Sequence, residues 1–298
     1  MRVFVTGATG FIGSEVVREL IEAGHQVLGL TRSDAGARSL AGAGAEVHRG
    51  DLNDLESLRS GAAMSDGVIH AAFNHDFSTF VANCEMDRRV IETLGDALAG
   101  SDRPLLITSG TGMGAGEPGR LATEDDPPDP DNQNPRVASE LAAAAVRERG
   151  VNVSVMRLPQ VHNEFKQGLI SYAVAIAREK GTSAYIGDGS NRWPAVHVLD
   201  AARLYRLALE KHAAGTRYNA VAEEGVPVRD IAESIGRGLE VPVVSLTAEE
   251  AGPHFGWLAP FAGMDLPASS ALTRERTGWR PTGPALLADL QRMRYALA

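Results

Sequence analysis

The sequence predicts an α/β protein: a doubly wound parallel sheet carrying most of the chain, with a smaller α+β lobe towards the C-terminus. Three observations predict it. Strand-like and helix-like segments alternate at short intervals through the first half, the pattern of a parallel sheet covered by helices. The first strand runs straight into a turn with glycines at 7, 10 and 13, and then into an amphipathic helix. From about residue 163 the alternation is interrupted, and shorter helices and strands follow. The 298 residues leave ample room for a core, and 44% hydrophobic with 22% charged residues is ordinary for a globular chain.

The opening strand is Val3-Phe4-Val5, and the helix opens at about Phe11 with Val16, Val17, Leu20 and Ile21 on its apolar side. Gly7 lets the chain turn sharply off the strand. Gly10 carries no side chain, so a pyrophosphate can approach the backbone. Gly13 lets the helix pack close to the sheet. The helix then offers free N–H groups and a positive dipole end to phosphates. This is the logic of a Rossmann-type dinucleotide turn, and Gly7, Thr9, Gly10, Phe11, Ile12 and Gly13 are expected to hold the cofactor.

A second strand, Gln26 to Leu30, is followed by Thr31-Arg32-Ser33. A carboxylate there would accept from the adenosine ribose and repel a 2′-phosphate. Arg32 can instead stack on adenine and pair with a 2′-phosphate, to which Ser33 can donate. This favours NADP over NAD; the competing reading is that Arg32 is a solvated loop charge, and Asp34 lies close enough to compete with a phosphate. The third strand, Glu46 to Arg49, ends at Gly50-Asp51-Leu52, where Asp51 can accept from the adenine amino group and leave Asp54 to cap the next helix. The fourth strand, Gly67 to Ala72, ends in Ala71 and Ala72, followed by Phe73. Small residues at that edge let a cofactor lie across the sheet. His70 reads as a packed strand residue, and His75, just past the edge, faces either substrate or solvent. A long amphipathic helix covers about Phe77 to Ala99. The fifth strand, Pro104 to Thr108, runs into Ser109, a platform for a hydroxyl that polarises a carbonyl. The acidic, proline-rich stretch from Leu121 to Pro135 is expected as a surface segment beside the active-site mouth. Arg136 to Arg149 is alanine-rich and helical, and Val151 to Leu158 is the sixth strand.

The second half contains a helix from Gly168 to Gly181, near which Lys166 and Tyr172 either face a substrate or are simply solvated and packed. Trp193 to His197 is expected to return the chain to the main core. His197 and Asp200 are three residues apart, too little for a metal pair. Helices are expected over Asp200 to Lys211, Val228 to Leu239 and Pro284 to Leu297, and a strand over Val241 to Leu246. The aromatic patch around Pro253 to Leu258 and Phe261 lines an apolar pocket, forms a dimer surface or packs in the core. The domain reading is a dinucleotide-binding unit of residues 1–162, with 193–222 returning to it, and a substrate-binding lobe of residues 163–192 and 223–298. A formal net charge of −9 argues against a nucleic-acid footprint. The single cysteine, Cys84, excludes an intrachain disulfide and any cysteine-cluster metal site. No metal site is expected. Without a signal peptide or a bilayer-spanning apolar run, a cytoplasmic location is expected.

Taken in order, Thr6 to Gly13, Asp51-Leu52, His70 to Ala72, Thr108-Ser109, Arg157-Leu158-Pro159, Val196 to Ala202 and Gly278 to Pro281 resemble the short-chain dehydrogenase/reductase superfamily, in its extended branch of NAD(P)-dependent epimerases, dehydratases and ketone reductases. The resemblance implies that Asp51 and Leu52 contact adenine, that Ala71, Ala72 and Phe73 line the cofactor, and that the segment through Pro159 packs near the nicotinamide, with Thr108 also at the cofactor. It implies a helix-mediated homodimer. Members of this family use a serine or threonine with a Tyr-x-x-x-Lys pair, the lysine lowering the tyrosine's pKa so that the tyrosine exchanges a proton with the substrate oxygen. Ser109 matches the serine. At the pair's position this chain reads Arg136-Val137-Ala138-Ser139-Glu140, so tyrosine is replaced by an arginine that does not give up its proton and lysine by a glutamate. Three substitutes are open: His162, His75, or Arg136 as an electrophilic clamp. The expected function is therefore an NADP-dependent oxidoreductase acting on a carbonyl or alcohol of a small, fairly apolar substrate. Ser109, Arg136 and His162 are its candidate catalytic residues. The alternatives are an NADPH-binding redox sensor without turnover, and an isomerase or double-bond reductase on the same fold.

Overall fold

The structure is a computed structural model and describes residues 1–114 and 120–295. The chain begins β1 (Arg2–Thr6), α1 (Phe11–Glu22), β2 (Gln26–Thr31), α2 (Asp34–Gly42), β3 (Glu46–Arg49), α3 (Leu55–Ala63), β4 (Gly67–His70) and α4 (Phe80–Leu98). It continues through β5 (Leu105–Gly110), α5 (Ala138–Glu148), β6 (Val153–Leu158), β7 (Gln160–His162), α6 (Ile170–Lys180), β8 (Ser183–Ile186), β9 (Arg192–His197), α7 (Val198–Lys211) and β10 (Arg217–Asn219). The remainder is β11 (Glu223–Pro227), α8 (Val228–Leu239), β12 (Val243–Leu246), α9 (Ala248–Phe255), α10 (Ala259–Ala262), α11 (Ala271–Thr277) and α12 (Leu286–Arg292).

Seven strands form one parallel sheet in the order β10-β6-β5-β4-β1-β2-β3. The chain starts in the middle, runs outward to β3, then crosses back to β4. The order reverses between β1 and β4, and in such sheets the crevice at the carboxyl ends of the strands at that point takes the ligand. Alternation along each buried strand sends side chains to two separate cores. Val3, Val5 and Leu106 pack with Val16, Val17 and Leu20 of α1 and with Leu204, Tyr205 and Ala208 of α7. Phe4, Leu105 and Ile107 pack on the other face with Leu58 of α3, Ile91 and Leu94 of α4, and Val146 of α5.

The rest of the chain builds a second body beside the carboxyl edge. A three-stranded sheet, β11-β9-β7, and a two-stranded pair, β12-β8, are covered by α6, α8 and α12 around Trp193, Ile231, Ile235, Leu286 and Leu290. Segment 193–197 returns to the main core but not to its sheet: Val196 packs with Val3 and Val5, while β9 is hydrogen-bonded between β7 and β11, and α7 and β10 follow it back. The acidic stretch lies at the surface, with only Glu124 buried, and it is anchored there: Glu124 accepts from Thr273 N–H at 2.6 Å, and Ala122 bridges to Ala268. Helix α12 ends at Arg292 because Met293 takes an extended conformation (ψ 133°); the part of the expected helix beyond Tyr295 lies outside the described residues.

The two C-terminal family-like segments hold each other. Asp200, buried at the start of α7, accepts from Thr282 N–H at 3.0 Å and Gly283 N–H at 2.7 Å, and its carbonyl accepts from the Trp279 indole at 2.9 Å. His197 caps α7 by accepting from Leu199 N–H at 3.3 Å. These are packing and capping roles. Among the described residues no group of His, Cys, Asp and Glu is arranged to hold a metal ion, and no helix is long and apolar enough to cross a membrane.

Candidate functional site: a dinucleotide cleft with a rewired catalytic corner

The turn between β1 and α1 forms a cradle that only glycine can form. Gly7 has φ +69°, and a Cβ there would stand 2.7 Å from Ala72 N. A Cβ on Gly13 would stand 2.7 Å from the Gly7 carbonyl carbon, so α1 can close on the turn only because residue 13 has none. Gly10 and Thr9 are exposed at the tip, and Gly10 is the N-cap of α1 without a side-chain cap. The first N–H groups of α1 thus have no intrahelical partner and face the crevice between β1 and β4. Ala71, Ala72 and Phe73 follow β4 on the other side, half-buried. The backbone fits a dinucleotide diphosphate: small residues, a helix start and open N–H groups converge where the strand order reverses.

At the outer end, Arg32 follows β2 with its side chain 82% exposed, 3.5 Å from the Asp51 carboxylate. Ser33 caps α2, accepting from Gly36 N–H at 3.0 Å, which leaves its hydroxyl proton free to donate. Asp34 is engaged by Arg49. Asp51 accepts from Asn53 N–H and side chain at 2.9 and 2.7 Å, and these bonds, with Arg32, hold its carboxyl below the usual range against partial burial. Asp54, not Asp51, caps α3 through Ser57 N–H. Leu52 is half-buried against the second core, and Pro159 is half-buried between β6 and β7.

The catalytic corner is where the structure departs from the expectations. Arg136 lies in a short turn before α5 and points inward. It donates to Asp87 at 2.5 Å, to Ser139 Oγ and to the Thr108 carbonyl at 2.9 Å, with its guanidinium 4.1 Å over the Phe73 ring. It is an internal ion-pair cation rather than a free clamp. Asp87, buried on α4, also accepts from Ser139 Oγ at 2.6 Å and from His70 Nε2 at 2.9 Å. Burial opposes its charge, but Arg136, His70 and Ser139 outweigh burial and hold its carboxyl well below the ordinary range. With Nε2 donating to Asp87, His70 Nδ1 is left to accept from the Thr6 hydroxyl at 2.7 Å, and Thr6 Oγ1 accepts from Ala72 N–H at 3.3 Å. A buried relay thus runs from the glycine cradle to Arg136.

Glu140 is buried and grips Arg157 with two bonds of 2.8 and 2.6 Å. Arg157 in turn donates to the carbonyls of Thr123 and Asp126, pinning the acidic stretch over β6. The Thr108 hydroxyl donates to the His70 carbonyl at 2.7 Å and meets Tyr205 OH of α7 at 2.6 Å. His162 is wholly buried in β7, hydrogen-bonded through Nδ1 to Asp289 of α12 at 2.7 Å, and burial outweighs Asp289 in lowering its pKa. Ser109 lies on the α5 face of β5 with a buried hydroxyl that has no hydrogen-bond partner among the described residues. Cys84 is buried, and burial pushes its thiol up to about 11, so it is no nucleophile.

His75 reaches the rim, and burial, Arg136 and Lys166 lower its pKa. From it an aromatic wall crosses to the second body. His75 and Phe73 meet edge-on at 5.2 Å, and Phe77 stacks on Trp257 at 4.0 Å with Tyr172 edge-on to both. The aromatic patch near residue 257 therefore faces the mouth, with Phe261 beside it. Sequence reasoning missed Asp87, although it sits on the apolar stripe Cys84, Ile91, Leu94 of α4, where a carboxylate needs a buried cation.

A glycine cradle at the switch point of a parallel sheet, closed by a second body, defines a dinucleotide-binding protein of the extended short-chain dehydrogenase/reductase class. The family model described as "NAD dependent epimerase/dehydratase family" matches residues 3–221, and the chain belongs to that family. It is 49% identical to a protein of Schizosaccharomyces pombe described as uncharacterised, over 97% of this chain and 98% of that one. It is 28% identical to a UDP-glucose 4-epimerase of Streptomyces lividans, over 93% and 91% of the two chains. The solved structure of a dTDP-glucose 4,6-dehydratase from Streptomyces venezuelae with NAD bound has the same fold, with TM-score 0.77 at 22% identity over 100% and 97% of the two chains.

Proposed function

We propose that the chain is an NADP-dependent oxidoreductase acting on a carbonyl or alcohol of a small, fairly apolar substrate. The observation that carries the reading is the cradle at Gly7 to Gly13, whose bare backbone at the start of α1 fits a dinucleotide diphosphate. Preference for NADP over NAD is supported by the exposed Arg32 beside Ser33, with the nearby Asp34 engaged by Arg49. In this reading residues 1–162, with 193–222, carry the cofactor half, and residues 163–192 and 223–298 the substrate half, with β7 and β9 lending strands to the sheet of the second body. When bound, the nicotinamide supplies the hydride chemistry. Ser109 would donate its unsatisfied hydroxyl to the substrate oxygen. The wall of Phe73, Phe77, Tyr172 and Trp257 would hold the apolar body of the substrate. His75, kept largely neutral near pH 7, would exchange the proton with water at the rim.

A second reading is favoured by one observation: Arg136 and Glu140 are both locked into buried ion pairs, as in a binding protein without turnover. Calorimetric titration with NADPH, NADH and the oxidised forms tests the common ground. The expected result is micromolar or tighter NADPH binding that Arg32→Ala weakens far more than NADH binding. Equal losses would remove the 2′-phosphate contact. A carbonyl screen followed by NADPH absorbance then separates the readings: oxidation of NADPH supports the enzyme, and binding without oxidation across the screen supports the sensor.

A further inference from the structure

The loop between β7 and α6 carries a cation to the start of α1. Lys166 Nζ stands 5.7 Å from the centroid of the Phe11 ring, and Phe11 is the first residue of α1. The loop that presents it is closed on itself. Asn163 Oδ1 accepts from both Phe165 N–H and Lys166 N–H at 2.9 Å, and Asn163 N–H donates to the Lys166 carbonyl at 2.9 Å. Gln167, wholly buried, anchors the loop from below by donating to the Asn163 carbonyl at 2.9 Å. The backbone of Lys166 is thus fixed while its side chain stays exposed, and among the described residues it pairs with no carboxylate. Its ammonium also acts on His75, so it stands between the cradle and the rim of the catalytic corner.

The charge balance around the cleft gives this position its meaning. The cation at 136 is neutralised by Asp87, and position 140 carries a glutamate that Arg157 holds. Neither end of the former Tyr-x-x-x-Lys span offers a free positive charge to a bound anion. We propose that Lys166 ligates the diphosphate of the bound dinucleotide from the second body, supplying from across the cleft the positive charge that α5 lacks. The proposal rests on the dinucleotide reading above. The helix start meets the phosphates with N–H groups and a partial positive charge, and Lys166 closes the other side with a point charge whose stem lies on Phe11. Binding would then tie the two bodies together through one charge-assisted contact.

The test compares Lys166→Met with wild type by calorimetry against NADPH and against 2′,5′-ADP, which keeps the adenosine end but has no diphosphate bridge. Lys166→Met should weaken NADPH by about 10- to 100-fold, the scale of one hydrogen bond to a charged group, and leave 2′,5′-ADP within about twofold. Lys166→Arg should restore most of the NADPH affinity. Because the side chain is exposed, thermal unfolding of the apoprotein should not change. The proposal is overturned if Lys166→Met binds NADPH as wild type does, or if it loses 2′,5′-ADP equally. If wild type itself binds no dinucleotide, the cofactor reading falls and this proposal with it; wild-type binding with an unaffected Lys166→Met removes the proposal alone.

Discussion

Replacing Glu140 by alanine tests whether the position of the family's lysine has become structural here. Glu140 and Arg157 have side chains each 1% exposed and share two bonds of 2.8 and 2.6 Å. Without the carboxylate, the Arg157 guanidinium stays buried with only the Thr123 and Asp126 carbonyls, at 3.3 and 2.9 Å. Removing one partner of such a pair costs about 3–5 kcal/mol, because the other charge is left uncompensated. For a chain of 298 residues, an unfolding entropy of about 2.1 cal/mol/K per residue amounts to about 0.6 kcal/mol/K, so Tm should fall by about 5–8 °C. Scanning calorimetry at pH 7 and fixed protein concentration reads this directly. Glu140→Lys, which rewrites the family residue, should fall further, since it sets an ammonium against Arg157, and should add no turnover. The double variant Glu140→Met with Arg157→Met should recover part of the loss, because apolar side chains carry no desolvation cost. A Glu140→Ala protein melting within about 1 °C of wild type would refute the reasoning, as would a stable Glu140→Lys protein with raised NADPH oxidation.

Two further predictions concern the glycine cradle and the buried relay. Gly13→Ala should abolish dinucleotide binding in calorimetry and lower stability by about 1–3 kcal/mol or more, since the new methyl must push α1 off the Gly7 turn; binding at wild-type affinity would mean that the helix moves freely. Against burial, Arg136 and His70 hold the folded pKa of Asp87 below the ordinary aspartate value, so its charge stabilises the fold in full above about pH 4, and that contribution is lost as pH falls through the folded value. In urea titrations Asp87→Asn should therefore be less stable than wild type at pH 7, with the gap narrowing below about pH 4. A gap that widens in acid would reverse the sign assigned to this group.

Much of the fold was legible because it is written in local signals. Val3 to Gly13 states strand, turn and helix in eleven consecutive residues, and the structure places α1 at Phe11 as expected. The Asp54 cap on α3 and the packed His70 follow from the same short-range chemistry. What was not legible depends on distant partners. His162 has an ordinary titratable side chain in sequence, and only the arrival of Asp289, 127 positions on, shows that it is sealed away. Segment 193–197 has the composition of a core strand, but which sheet accepts it depends on β7 and β11. The acidic stretch has surface composition, yet a buried Arg157 in the strand Val-Ser-Val-Met-Arg-Leu needs acceptors, and the carbonyls at 123 and 126 are what it finds. A charged residue inside an apolar strand or on an apolar helix stripe announces a buried partner without naming it.

Arg136 and Glu140, which the resemblance sets against a tyrosine and a lysine, behave alike. Each reaches into the protein: Arg136 to Asp87, Glu140 to Arg157. A tyrosine at 136 could not compensate Asp87, which would then keep only His70 and Ser139 against burial. A lysine at 140 would face Arg157 with no acid between them. Restoring either family residue alone therefore creates an uncompensated buried charge, and restoring both leaves two. These are two separate buried ion pairs, each of which holds the side chain at 136 or 140 away from the cleft. Among the described residues, the Ser109 hydroxyl is buried beside the cleft without a hydrogen-bond partner, and Lys166 at the rim pairs with no carboxylate.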